Sequence, residues 1–140
     1  MNPATTRFIL YALNQVPESL KEKAIVVIID GKKINDFIKL YKFLKERLSF
    51  PNYSHPNLDS LDEILNDPDW LEAQKEFYLE IKNYSNLLFR EPQEKKKSFL
   101  NIIYSMTQSL GYEAVYIENS ELIQNDLQTL SIPFEIYPSS

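Results

Sequence analysis

Three carboxylates on one short segment are the residues best placed to do chemistry in this sequence. Asp59, Asp62 and Glu63 stand at i, i+3 and i+4, so a helix puts them on one face, and Asn66 carries that face a further turn. Leu58, Leu61 and Leu65 fall on the other side. Carboxylates held this way accept charge-assisted hydrogen bonds from lysine and arginine, bidentately from arginine. Like charges at this spacing repel by a few tenths of a kcal/mol per pair. A helix with a purely structural role would interleave lysines, and none is present. The plain alternative is also physical. Asp59 would lie in the first turn, where a carboxylate gains about 0.3–1 kcal/mol from the helix dipole without a partner, and charged helical faces are commonly only solvated. Spacing alone leaves both readings open.

The surrounding charge favours a basic partner. Between Arg47 and Lys75 there is no basic residue, while Asp59, Asp62, Glu63, Asp67, Asp69 and Glu72 all lie there. The chain has 20 acids and 15 bases, so without these six the acidic excess disappears. Nucleic acid, itself a polyanion, is a poor partner for such a protein, and a positively charged protein surface is the natural one. The absence of cysteine excludes disulfides, thiolate metal sites and cysteine nucleophiles, and it fits a cytoplasmic location. Phe8–Leu13 is too short for a leader's apolar region. No stretch approaches the ~20 apolar residues that span a bilayer, so no membrane role is expected.

The positioning elements follow from periodicity. Ala24–Ile29, a β-branched run ending at Asp30-Gly31, reads as a strand buried on both faces. A helix opens near Asn35, with Phe37, Leu40, Tyr41, Leu44 and Leu48 on its apolar stripe, and Pro51 stops it. Asn57 is a suitable N-cap for the short acidic helix, and Asn66-Asp67-Pro68 ends it. Phe77–Ile81 reads as a strand and Asn83–Asn86 as a turn. A long helix follows over 94–110, with Phe99, Ile102, Ile103, Met106 and Leu110 inward and Gly111 as C-cap. Ala114–Ile117 is a further strand, Ser120 caps a helix to Leu130, and Phe134–Tyr137 is the last strand. Strands alternating with helices imply an α/β domain of three to four mainly parallel strands flanked by helices. Neither repeat nor linker divides the chain, so 1–140 is expected to be one domain.

Other constellations carry less. His55, the sole histidine, reads as a surface loop residue. Asp59, Asp62, Asp67 and Asp69 match no cation loop, so no metal is expected. With two glycines there is neither a P-loop nor a dinucleotide fingerprint, and no cofactor is expected. Lys95-Lys96-Lys97 points in three directions on a helix and reads as solvated surface. Trp70 reads as core or half-buried.

Residues 25–65, and within them Phe50-Pro51, Tyr53 and Asn57-Leu58-Asp59-Ser60-Leu61 followed by Glu63 and Leu65, resemble the barstar family's opening strand, first helix, inhibitory loop and second helix. The later order of elements is similar too, so the resemblance covers roughly 24–118, with 1–23 and 119–140 as extensions. It implies a barstar-like three-layer domain, not an enzyme but an intracellular inhibitor of barnase-like ribonucleases, monomeric when free. It also implies that Tyr53 replaces the family's interfacial loop tyrosine and that Asp59 takes the position entering the phosphate-binding pocket. Glu63 stands at a second acidic interface position, and Asn57 and Leu58 fall on interface positions as well. Asp62 joins this face by its helical spacing. Two rivals remain: an immunity or regulatory protein of the same fold for another basic partner, and, ranked last, an enzyme with paired carboxylates, which would need a pocket.

Overall fold

The computed structural model of the chain describes residues 8–12, 25–52, 54–73, 76–110 and 114–137. Five strands, β1 (Phe8–Tyr11), β2 (Ile25–Asp30), β3 (Phe77–Lys82), β4 (Val115–Glu118) and β5 (Phe134–Tyr137), form one sheet in the order β2-β3-β4-β1-β5. Every pairing is parallel. Five helices flank the sheet: α1 (Phe37–Leu48), α2 (Leu58–Leu65), α3 (Pro68–Ala73), α4 (Gln93–Leu110) and α5 (Glu121–Thr129). The architecture is three-layer α/β, as expected, with more strands than the sequence suggested.

The added strand is β1. Its four residues are buried on both faces because it lies between β4 and β5, yet a run of four apolar residues has no periodicity to declare it a strand. Both segments expected as extensions therefore supply strands to the same sheet. β2 corrects a second expectation. Ile25 and Ile28 are 37% and 44% exposed, since among the described residues β2 is an edge strand paired with β3 alone. β3, between β2 and β4, is buried almost throughout. A β-branched run reports strand preference but not position in the sheet.

Helix ends follow local rules. Asp36 caps α1, accepting from the Lys39 N–H at 2.9 Å, and α1 closes at Ser49 in the left-handed region, φ 54°, two residues before Pro51. Ser120 caps α5 through the Ile123 N–H. Asp67-Pro68, read as the end of α2, also starts α3: the Asp67 carboxylate accepts from the Asp69 N–H at 2.9 Å, and proline suits the first helical position. The expected cap at Gly111 lies outside the described residues.

The principal core packs Phe8, Leu10, Val27, Ile29, Leu79 and Ile117 of the sheet against Leu40, Leu44, Leu61, Phe99, Ile103 and Leu127 of the helices. On the opposite sheet face Ile9, Tyr11, Tyr78 and Tyr116 cluster, and the Tyr11 hydroxyl donates to Glu80 Oε2 at 2.8 Å. Burial, then that bond to a carboxylate, push the Tyr11 phenol well above its usual range.

Lys96 departs from the solvated reading of the lysine run. It is 4% exposed, its ammonium donates to the Tyr84 carbonyl and lies 3.9 Å from the Tyr84 ring centre. Positions i+3 and i+4 from it are the buried Phe99 and Leu100, so helical geometry turns Lys96 inward. The Tyr84 hydroxyl in turn donates to the buried Asp126 at 2.6 Å, tying α5 to the turn after β3.

Candidate functional site

The acidic helix is held rigidly from beneath. Leu61 and Leu65 are fully buried and Ile64 nearly so, and α2 packs on α4 and α3. Its amino end is fixed by Asn57, whose side chain accepts from the Ser60 N–H at 2.7 Å, as the sequence predicts. Ser60 ties the preceding loop to this end: its hydroxyl oxygen accepts from the His55 N–H at 3.1 Å and lies 3.4 Å from the Tyr41 hydroxyl of α1. Phe50, at the root of the loop, is buried between Tyr41 and Trp70, with ring centres 5.6 and 5.8 Å away. Trp70 is half-buried and His55 exposed, both as expected.

With the leucines inward, the polar residues of α2 face solvent. Asn57, Asp59, Asp62 and Glu63 are exposed, and Leu58 is half-buried against the core. Tyr53 lies outside the described residues. The three carboxylates are not equivalent. Asp62 Oδ1 accepts from the Asn66 amide at 2.9 Å, and that amide also reaches the Asp62 carbonyl at 3.1 Å and the Ile102 carbonyl of α4 at 3.5 Å. Asp59 and Glu63, one turn apart, engage no group among the described residues. Asp67 is occupied as the cap of α3.

The sequence named Asp69 and Glu72 without assigning them an element. Both are exposed on α3 and extend the acidic surface beyond α2. The Asp67-Pro68 pair was the signal that a helix starts there. Among the described residues, no group of three His, Asp or Glu side chains is arranged to hold a metal, and no helix is long and apolar enough to cross a membrane. What the surface offers is anionic: carboxylates on a short, capped helix, two of them committed to no internal partner described.

A search of the curated proteins finds no match. Among protein families, the model for Barstar, the barnase inhibitor, matches residues 24–121, well over half of the chain and inclusive of β2, α1, the acidic helix, β3, α4 and β4. This match places the chain in the barstar family, the family of the barnase inhibitor.

Proposed function

We propose that this chain inhibits a barnase-like ribonuclease by laying the face formed by Asn57, Leu58, Asp59, Asp62 and Glu63, with Tyr53 on the loop before it, over the nuclease active site. The observation that carries this reading is the pair Asp59 and Glu63: exposed, one turn apart on a rigid helix, and engaging no group among the described residues. A ribonuclease must hold RNA phosphates with cationic side chains, so its cleft focuses anions. A carboxylate seated there accepts bonds otherwise made to phosphate, bidentately where arginine supplies them. Because the helix is ordered before binding, little backbone entropy is lost on association. The acidic surface, extended by Asp69 and Glu72, steers encounter with a basic enzyme, and salt weakens that steering.

The test is titration of a purified barnase-type ribonuclease with this protein, following cleavage of a fluorescent RNA. The expected result is stoichiometric loss of activity, weakened on the order of a hundredfold or more by Asp59→Ala, because a desolvated cation is then left unpaired. Undiminished inhibition by Asp59→Ala would overturn the assignment of the anchor. No inhibition by the natural sequence would direct the same face to a different basic partner, the role of an immunity protein of this fold.

A further inference from the structure

A second surface of the molecule has the opposite charge. Beside β2 runs a groove made of two adjoining cavities of about 640 and 440 Å³ that share Ile28, Phe43 and Arg47. The smaller is lined by four consecutive strand residues, Ile25 to Ile28, so the backbone of the strand forms its wall. Among the described residues β2 pairs with β3 alone, which leaves the other edge of its peptide groups facing this groove. The larger cavity continues past Asp30 to the end of the strand. Together the two follow the whole length of β2, an elongated shape suited to an extended chain.

The far wall is one flank of α1. Lys39, Phe43 and Arg47 succeed each other at intervals of four, so they share a flank, and it is not the one carrying Tyr41, which meets Ser60 of α2. The groove is therefore separate from the acidic face. Its apolar surface is Ile25, Ile28 and Phe43, with the Arg47 guanidinium 5.2 Å from the Phe43 ring centre. Its charge is basic and graded. Lys33, Lys39, Lys42 and Lys82 join Arg47 around the larger cavity, against two carboxylates. One of these, Asp30, already accepts from the Asn83 amide and the Lys32 N–H. Among the described residues lining the end near Ile25 there is no lysine. In a protein of net charge −5, a local excess of three positive charges on an unpaired strand edge is not what general surface composition would produce.

We propose that this groove binds an extended acidic peptide segment, which adds to the sheet as a sixth strand on β2. Main-chain hydrogen bonds along the edge supply affinity, as in other strand-addition complexes. Side chains on its two faces select the sequence: apolar ones meet Ile25 and Phe43 on the face of α1 and Ile28 on the other, and carboxylates at one end meet Lys33, Lys39, Lys42 and Lys82. An acidic segment is specified because a basic or neutral one would leave the excess positive charge around the larger cavity uncompensated, even with Lys82 lying 3.7 Å from Glu80. A segment of about six residues matches the strand, at roughly 3.3 Å per residue.

The experiment uses the full chain and a fluorescein-labelled peptide of about eight residues, alternating valine with glutamate and ending in aspartates. Fluorescence anisotropy should show saturable binding with a Kd on the order of tens of micromolar. Lys42→Glu combined with Arg47→Glu, both at exposed positions, should weaken it at least tenfold. The same peptide methylated on alternate backbone nitrogens should not bind, because the ladder it would form is blocked. Absence of saturable binding would overturn the proposal. So would equal binding of the methylated peptide, or equal binding of an oligothymidylate of the same charge, since either would show a general anion patch in place of a strand site.

Discussion

Asp62 commits one carboxylate oxygen to the Asn66 amide at 2.9 Å, whereas its neighbours Asp59 and Glu63 commit nothing to any described group. The difference predicts an order of effects. Asp59→Ala and Glu63→Ala should both weaken ribonuclease inhibition. Glu63→Ala should leave the thermal midpoint nearly unchanged, because an exposed side chain without a partner adds little to stability. Asp59→Ala should cost no more than about 0.3–1 kcal/mol, the value of its place in the first turn. Asp62→Ala should instead lower stability by about 0.5–1.5 kcal/mol, the usual net value of a hydrogen bond, and weaken inhibition less than Asp59→Ala. Inhibition titrations and urea unfolding on the three variants check the ranking. The acidic face was legible because i, i+3, i+4 spacing and an Asn cap are local facts that no distant residue alters. Lys96 was illegible for the converse reason. Its spacing to Phe99 marks it as inward, but the partners that satisfy a buried ammonium are distant: Tyr84 comes from a turn before the helix and Asp126 from a helix after it. Burial holds the Lys96 ammonium below its usual range, and Asp126 partly offsets that. Tyr84→Phe should cost about 1–3 kcal/mol in chemical denaturation, because Asp126 then keeps its burial and loses its donor.

At the scale of elements, the turn after β2 is the most exacting piece of the fold. A Cβ on Gly31 would overlap the Asn83 carbonyl oxygen and lie 2.8 Å from the Leu87 nitrogen. These are backbone atoms of the segment following β3, which cannot move aside as a side chain would. Gly31 also donates its N–H to the Lys82 carbonyl at 2.8 Å, so the turn and the end of β3 are locked together. Gly31→Ala should destabilise the protein by more than the about 1 kcal/mol typical of point mutants, with a visible drop in the unfolding midpoint. Asn57→Ala should cost about 1 kcal/mol through loss of the α2 cap, and through looser presentation of Asp59 it should also weaken inhibition; calorimetry and the ribonuclease titration read the two effects separately. The longer elements were legible from apolar periodicity: Phe37, Leu40, Tyr41, Leu44 and Leu48 are all buried. Two short ones were not. β1 has four residues and α3 six, too few for a period; β1 owes its form to β4 and β5, distant in the chain, and α3 had only Asp67-Pro68 to mark its start.

Over the whole molecule, two buried phenols set the response to alkali. Burial and hydrogen bonds to carboxylates hold Tyr11 and Tyr84 protonated far above the usual tyrosine range, while in the unfolded chain each titrates near pH 10. Above about pH 10 the unfolded state releases protons that the folded state keeps. The stability these groups contribute is therefore complete below about pH 10 and declines above it, by about 1.4 kcal/mol per pH unit for each phenol. Urea unfolding between pH 9 and 11.5 (range set around the tyrosine value) should show this decline, and Tyr11→Phe should make it shallower by one such increment.

The place of β1 in the sheet bears on how the chain acquires its structure. Among the described strands β1 is made before the others, yet the two it pairs with there, β4 and β5, are made after the rest. Its apolar side chains must wait, unpaired, for about a hundred residues of further synthesis. Pairings so distant in sequence are slow to form, since loop closure precedes any gain from contact. β1 can join the sheet only once β4 has been made, and β5 in turn pairs on β1; until then its apolar side chains are open to misassembly.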